Sequence, residues 1–211
     1  MHRKQNSWSH GMLTQSNNHR PVQSSSGWLK NHYFARFAFS TAWAVAALLV
    51  ARDVPMFAAV MLVAYPAWDA LANLVDARRN GGLAANKTQL LNLVVSAITT
   101  VAVAIALGHG MNSVLVVFGI WAALAGFLQL ATGARRWKSY GAQWAMVLSG
   151  AQSALAGTHF ISKAGGDAPV GIADIAPYAA FGAFYFLVSA VWLAVSEARK
   201  NAVRDACVET R

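Results

Sequence analysis

The sequence predicts an all-α integral membrane protein with six transmembrane helices, arranged as three tandem helical hairpins with both termini in the cytoplasm. Three observations lead to this prediction. Hydrophobic residues make up 56% of the chain and charged residues only 12%, whereas soluble domains average about 45–50% and about 25%. The apolar residues fall into six long runs. The basic residues are concentrated in alternate connections between these runs, which is typical of membrane proteins with a defined orientation.

The apolar runs carry a single charged residue, Asp69, in the second run. Most runs approach the roughly 20 residues that an α-helix needs to cross about 30 Å of hydrocarbon. They lack the two-residue alternation of the strands in membrane β-barrels, so the sequence does not predict a barrel. The six runs are Phe37–Ala51, Val54–Val75, Leu90–Leu107, Ser113–Thr132, Ala142–Ser162 and Ala176–Ser196.

The distribution of Lys and Arg predicts the orientation of the chain. Apart from Arg52 and Lys163, all of them lie before or at the start of the first run, in the second-to-third and fourth-to-fifth connections, or after the last run. Because cytoplasmic loops are enriched in Lys and Arg, this pattern places both termini in the cytoplasm. A net charge of +9 would suggest nucleic-acid binding in a soluble protein. Because the basic residues of this chain are concentrated in particular loops, the positive charge indicates membrane topology, and we expect no nucleic-acid partner.

Three segments follow from these patterns. Residues 1–32 are polar and have too little apolar surface to offset the entropy of ordering, so we expect a disordered tail there. Residues 33–197 form the transmembrane domain, with hairpins at about 33–75, 90–132 and 142–196, and residues 198–211 form a cytoplasmic C-terminal tail. Met12 is an alternative start that would shorten the N-terminal tail without changing the bundle.

The even-numbered runs resemble one another. Each begins with aromatic residues around a Gly or Pro and is followed by Ala-Arg-Arg or Ala-Arg-Lys, at residues 77–79, 134–136 and 198–200. This recurrence indicates three hairpins of the same orientation. The alternative is that any helix entering the cytoplasm begins with aromatic residues and ends in Arg.

On this pattern, together with the segment RRWKSYGAQWAMVLSGAQSALAG at residues 135–157, the chain resembles the HdeD-like membrane proteins. The resemblance covers roughly residues 34–200. It implies a small bacterial inner-membrane protein with a non-enzymatic role in acid or general stress tolerance. It assigns no catalytic or binding residue to this sequence.

Asp69 is the main candidate for function, because an acid within hydrocarbon costs about 2.5–3.5 kcal/mol on insertion scales. If the first two helices form an antiparallel hairpin that turns near Arg52 and Asp53, then Arg36 lies at the same depth as Asp69. One interpretation is a structural salt bridge between them. The others are a proton-handling carboxylate and a carboxylate that reaches water at the membrane surface.

Uncharged polar residues form a second candidate. Several share one face of the third predicted helix, and Ser149, Ser153 and Gly157 form a small-residue ladder on the fifth. Such side chains either join helices by hydrogen bonds or line a path for water, protons or a small solute. The proposed polar intramembrane face consists of Asn73, Asn92, Ser96, Thr99, Thr100, Gln129 and Gln152.

The remaining candidates lie in loops or near helix ends. His109 and His159 are expected on the outer side, where a pKa near 6.5 would allow pH sensing. The basic turn containing Arg135, Arg136 and Lys138 is a candidate contact for anionic lipid headgroups, and self-association is left open.

The motifs of common enzyme and metal sites are missing from the sequence. We find no Gly-x-Ser-x-Gly, His-Glu-x-x-His or phosphate-binding loop, and the single Cys207 cannot form an intramolecular disulfide or a Cys-based metal site. We therefore expect a non-enzymatic protein without metal or cofactor. The alternative to a stress role is a small channel or transporter whose polar path includes Asp69.

Overall fold

The computed structural model describes the backbone of residues 23–136 and 143–209, and the side chains of residues 27–131, 147–203 and 207. Within these residues the protein is all-helical, and no strand is present. Three single 3₁₀ turns, Ala51–Asp53, Leu107–His109 and Ile172–Asp174, lie in or beside the connections from α1 to α2, α3 to α4 and α5 to α6. The helices are α1 (Gln23–Leu49), α2 (Pro55–Arg79), α3 (Lys87–Ala106), α4 (Met111–Arg136), α5 (Gln143–Ala164) and α6 (Ala176–Glu209).

Four of the helical segments in the described residues are long and apolar enough to cross a membrane. They are Pro55–Arg79, Lys87–His109, Met111–Ala131 and Ile172–Val203. Much of their apolar surface faces outward, as Met56 with 77% exposure and Ile98 with 64% illustrate. A surface of this kind is compatible with lipid as the surrounding solvent. The prediction of a membrane protein is thus supported, while spans at α1 and α5 remain predictions.

The first helix begins earlier than the sequence predicts. We expected a disordered tail through residue 32, but α1 begins at Gln23. Packing against α6 explains the extra turns, because Lys30 Nζ donates to Glu197 Oε2 at 2.8 Å and the Tyr33 ring stacks on Phe186. Residues 1–22 lie outside the described residues.

The closest helix pairs are α1 with α6, α2 with α3, and α4 with α5. By contrast, α1 approaches α2, and α5 approaches α6, at few positions. The tightest packing therefore joins neighbouring hairpins of the predicted topology rather than the two helices within one hairpin.

Glycines allow the close approach of α4 and α5. A Cβ atom added at Gly126 would lie 2.5 Å from Ala154 N, and one at Gly157 would lie 2.5 Å from Gly119 O. Both distances are too short for any side chain, so glycine is required for this helix spacing. Of the small-residue ladder predicted on the fifth helix, Gly157 lies in this contact. Ser149 and Ser153 instead line a cavity in the bundle.

The two ends of the bundle differ in the side-chain contacts that they contain. At one end, here called the basic end, Lys30 pairs with Glu197 and the Arg79 guanidinium lies 5.9 Å from the Trp28 ring. The 3₁₀ turns lie at the opposite end. Apolar side chains fill the interior there, and the largest fully buried ones are Leu62, Val103, Val114, Leu115, Phe118 and Ile175.

Candidate functional site

A cavity of about 560 Å³ lies inside the half of the bundle nearer the basic end. All six helices contribute to its lining, which extends from His32 and Asp76 near the basic end to Tyr65, Trp121 and Tyr178 in the middle of the bundle. Its volume falls within the range of about 300–1,000 Å³ that is typical of small-molecule sites.

Asp69 of α2 is the centre of the hydrogen-bond network in the cavity wall. Its Oδ1 accepts a hydrogen bond from Arg36 Nη2 of α1. Its Oδ2 accepts from Asn73 Nδ2 at 3.0 Å and from Ser96 Oγ of α3 at 2.7 Å. One carboxylate therefore joins three helices. Because a buried charge without such donors would be strongly unfavourable, the network explains how Asp69 is accommodated.

The same network continues to α4 and α6. The indole N–H of Trp121 donates to Ser96 Oγ at 3.1 Å, and the Arg36 guanidinium carbon lies 4.2 Å from the centre of the Phe186 ring. The side chains of Arg36 and Asp69 are 16% and 21% exposed. The ion pair is thus shielded from bulk water and held in place by five helices.

Asp76 occupies the cavity near the basic end. Its carboxylate accepts hydrogen bonds from Gln89 Nε2 of α3 at 3.1 Å and from Asn80 Nδ2 at 2.8 Å. His32, which precedes the first predicted span, also lines the cavity. Burial lowers the pKa of His32 below its ordinary value of 6.5, and the positive charge of Arg36 lowers it further, while the carboxylates of Asp76 and Asp69 act in the opposite direction.

Three carboxamide side chains on three successive helices face the cavity. Gln152 of α5 accepts a hydrogen bond from Tyr185 Oη at 3.0 Å, and Gln129 of α4 accepts a long one from Ser149 Oγ at 3.5 Å. Among the described residues, the amide groups of Asn92 on α3 and the N–H donors of both glutamines have no partner. These groups are available for a ligand.

Aromatic rings separate the cavity from the apolar interior of the opposite end. Trp121 makes edge contacts with Tyr65 and Tyr178, with ring centres 5.8 and 6.1 Å apart. Trp43 packs against Tyr65 at 4.7 Å and donates to the Met61 carbonyl. We call Tyr65, Trp121 and Tyr178 the aromatic layer. It closes the inner end of the cavity.

No protein-family model, curated protein or solved structure matches this chain. The resemblance to the HdeD-like proteins therefore rests on the sequence pattern alone and remains a hypothesis. The function must be inferred from the cavity and its residues.

The structure brings together most of the polar residues singled out in the sequence. Arg36, Asp69, Asn73 and Ser96 form the ion-pair network described above, and Asn92, Gln129 and Gln152 line the same cavity.

Four candidates lie elsewhere. Thr99 and Thr100 donate to the carbonyls of Val95 and Ser96 in their own helix, so neither hydroxyl is offered to the cavity. His109 and His159 are exposed and do not line the cavity. Their proposed pH sensing is not tested by these positions.

Two other predictions concern parts of the molecule outside this cavity. The proposed lipid contact at Arg135, Arg136 and Lys138 lies outside the residues whose side chains the structure describes. Within the described residues, no group of three or more His, Cys, Asp or Glu side chains is arranged to hold a metal ion.

Sequence reasoning missed Asp76 and the aromatic layer. Asp69, Asn73 and Asp76 follow i, i+4, i+7 spacing, which places them on one face of α2, so Asp76 was detectable. The aromatic residues carried no such signal, because rings at helical spacing occur equally in apolar cores and at membrane interfaces.

Proposed function

We propose that this chain is a non-enzymatic bacterial inner-membrane transporter with six spans and cytoplasmic termini, and that the cavity is its cytoplasm-facing site for a small polar solute. Four helices of sufficient length and apolarity support the membrane location. The part of α1 from residue 33 onward and the 22-residue α5 are packed into the same bundle and supply the other two spans. The positive-inside rule supplies the orientation.

The observation that carries this proposal is the contrast between the two halves of the bundle. Polar side chains from all six helices line one half, whereas close-packed apolar side chains fill the other. Polar side chains can join the helices of a membrane protein by hydrogen bonds, but this role does not account for amide groups such as that of Asn92, which faces the cavity without a protein partner among the described residues. A site for a polar solute that is accessible from one side requires this asymmetry.

The Arg36–Asp69 pair fits this function as a structural part of the site wall. The carboxylate accepts hydrogen bonds from three side chains, so we assign Asp69 the role of fixing Arg36 and Ser96 in position. The paired charges are accommodated in the membrane interior without presenting a net charge to the solute.

The proposal is tested by osmotic assays on proteoliposomes that contain the full chain. Vesicles are exposed to hyperosmotic solutions of small polar solutes, and re-swelling reports solute entry. We expect wild-type protein to accelerate re-swelling for at least one solute above protein-free vesicles. A cavity-filling variant, Gly182→Leu, should abolish this effect, because a Cβ at this position lies 3.7 Å from the Tyr65 hydroxyl inside the cavity.

Gly108→Leu is the matched control. It adds the same side chain at the opposite end of the bundle, where nothing lies within 4 Å of the added Cβ, and it should transport like wild type. If wild-type vesicles re-swell no faster than protein-free ones for every solute, the transport proposal is wrong. A pH-sensitive dye in the same vesicles tests protons. If the wild-type protein conducts protons and Asp69→Asn abolishes this flux, the transported species is the proton and Asp69 is a proton-binding site.

The stress-tolerance role implied by the HdeD-like resemblance is compatible with transport but rests on no contact in the structure. It is tested separately, by comparing survival in acid of cells that lack the chain, cells that express the wild-type chain and cells that express Gly182→Leu. Equal survival with and without the wild-type chain would remove the stress role and leave the transport proposal intact.

A further inference from the structure

We propose that the solute is an uncharged polyhydroxyl compound of the linear polyol class. This inference rests on the proposed function and names its substrate class. It follows from which groups in the cavity are already satisfied and which are left over.

The charged groups of the cavity are occupied by protein partners. Arg36 is paired with Asp69, and the carboxylate of Asp69 also receives hydrogen bonds from Asn73 and Ser96. Asp76 receives two amide donors, and among the described residues no Lys or Arg forms a salt bridge with it. An anion bound at Arg36 would compete with Asp69, and a cation bound at Asp76 would compete with the amide donors of Asn80 and Gln89. Burying a charge without a partner carries a large cost.

Within the described part of the chain two buried donors, Arg36 Nε and Trp68 Nε1, have no partner, and the other groups left over are neutral carboxamides that can both donate and accept. Asn92, Gln129 and Gln152 lie on three successive helices around the same space. A carboxamide offers two donors and a carbonyl acceptor, which matches a hydroxyl group that donates one hydrogen bond and accepts others. Several hydroxyls along one chain could engage amides from several helices at once.

The aromatic layer provides the apolar complement. Tyr65, Trp121 and Tyr178 present ring surfaces at the inner end of the cavity. A polyol carries C–H groups beside its hydroxyls, and these can pack against the rings while the hydroxyls face the amides. A site with a few placed polar groups beside aromatic surface is the usual composition of a small-molecule pocket.

The test compares three solutes of the same carbon length that differ in charge: sorbitol, gluconate and N-methylglucamine. Sorbitol is neutral, gluconate carries a terminal carboxylate and N-methylglucamine carries a terminal ammonium group. In the proteoliposome assay we expect saturable re-swelling with sorbitol and background rates with the two ions. Re-swelling with either ion that equals or exceeds that with sorbitol overturns the assignment, while it leaves the transport proposal standing.

A variant links the result to the amides. Asn92→Leu preserves side-chain size and removes an amide without a protein partner, so the fold should tolerate it. Loss of one neutral hydrogen bond predicts a roughly two- to tenfold higher half-saturating sorbitol concentration. Thr158→Val, on the exposed surface of α5 outside the cavity, is the matched control and should behave as wild type. Unchanged sorbitol saturation in Asn92→Leu overturns the proposed amide recognition.

If sorbitol and both ions stay at background while another small solute is transported, the polyol assignment is wrong and the transporter is retained. If no solute is transported at all, both proposals fail together. Testing other small polar solutes in the same assay therefore distinguishes the two failures.

Discussion

Replacing Asp69 by Asn tests whether the ion pair acts as one unit of the fold. The substitution keeps the shape of the side chain but leaves the Arg36 guanidinium without its carboxylate. Breaking a buried ion pair costs about 3–5 kcal/mol. Because the two side chains are 16% and 21% exposed and line a cavity, we expect a smaller loss, of about 2–3 kcal/mol.

Replacing the partner of Asp69, Arg36, is expected to lower the free energy of unfolding by less. In Arg36→Gln the carboxylate of Asp69 keeps its donors Asn73 and Ser96, so we expect a loss of about 1–2 kcal/mol. The double variant should lose less than the sum of the single variants by about 1–2 kcal/mol, because neither charge is then left unpaired.

The free energies of unfolding are measured on detergent-solubilised protein by denaturant titration, with helix content by circular dichroism as the signal. Thr158→Val serves as the control outside the network. If the two single losses add within about 0.5 kcal/mol in the double variant, the side chains are energetically independent and the structural interpretation of the pair is refuted.

Three further outcomes are expected. Gly126→Ala should destabilise the fold by about 1–3 kcal/mol, because its methyl group would overlap the backbone of α5. Gly182→Ala is the control, because the nearest atom lies 3.7 Å from the added Cβ. Equal unfolding temperatures of the two variants would contradict the close packing of α4 and α5. Because the pKa of His32 is lowered in the folded protein, the unfolded chain binds more protons and stability falls as pH drops through 6.5. The unfolding temperature of His32→Gln should therefore fall less between pH 7.5 and pH 5.5 than that of the wild-type protein. An identical dependence of unfolding temperature on pH in the two proteins would exclude the effect. Lys163 forms a partly exposed salt bridge with Asp174, so Lys163→Gln should lower the free energy of unfolding by less than about 1 kcal/mol. Asp174→Ala should lower it more, because this substitution also removes the acceptor of the Gly171 N–H. Equal losses for the two variants in chemical denaturation would argue against the contact with Gly171.

Sequence reasoning reached the helical class and the contact between the first two helices. Counting residues along an antiparallel hairpin places Arg36 level with Asp69, and the two side chains are in contact in the structure. This inference is local, since it depends only on the rise of two helices joined by a short turn.

The cavity could not be derived in the same way. Its walls come from all six helices, and its shape depends on how helices distant in sequence are arranged around it. The periodicity of one helix shows which face is polar but not which neighbour that face meets. The extension of α1 was missed for a related reason, because residues 23–32 are polar and the contacts of Lys30 and the nearby Tyr33 with α6 join residues that are distant in sequence.

The pairing of the first helix with the last has a consequence for biosynthesis. In the proposed topology α1 is synthesised long before its main partner α6, and α1 is not among the four helices of the described residues that are long and apolar enough to span a membrane by themselves. Until α6 is inserted, the α1 surface that will contact it is unpaired. We therefore expect the bundle to close late, with α6 as the element that completes it. Chains truncated before Ala176 should expose the polar cavity wall and be degraded by quality-control proteases.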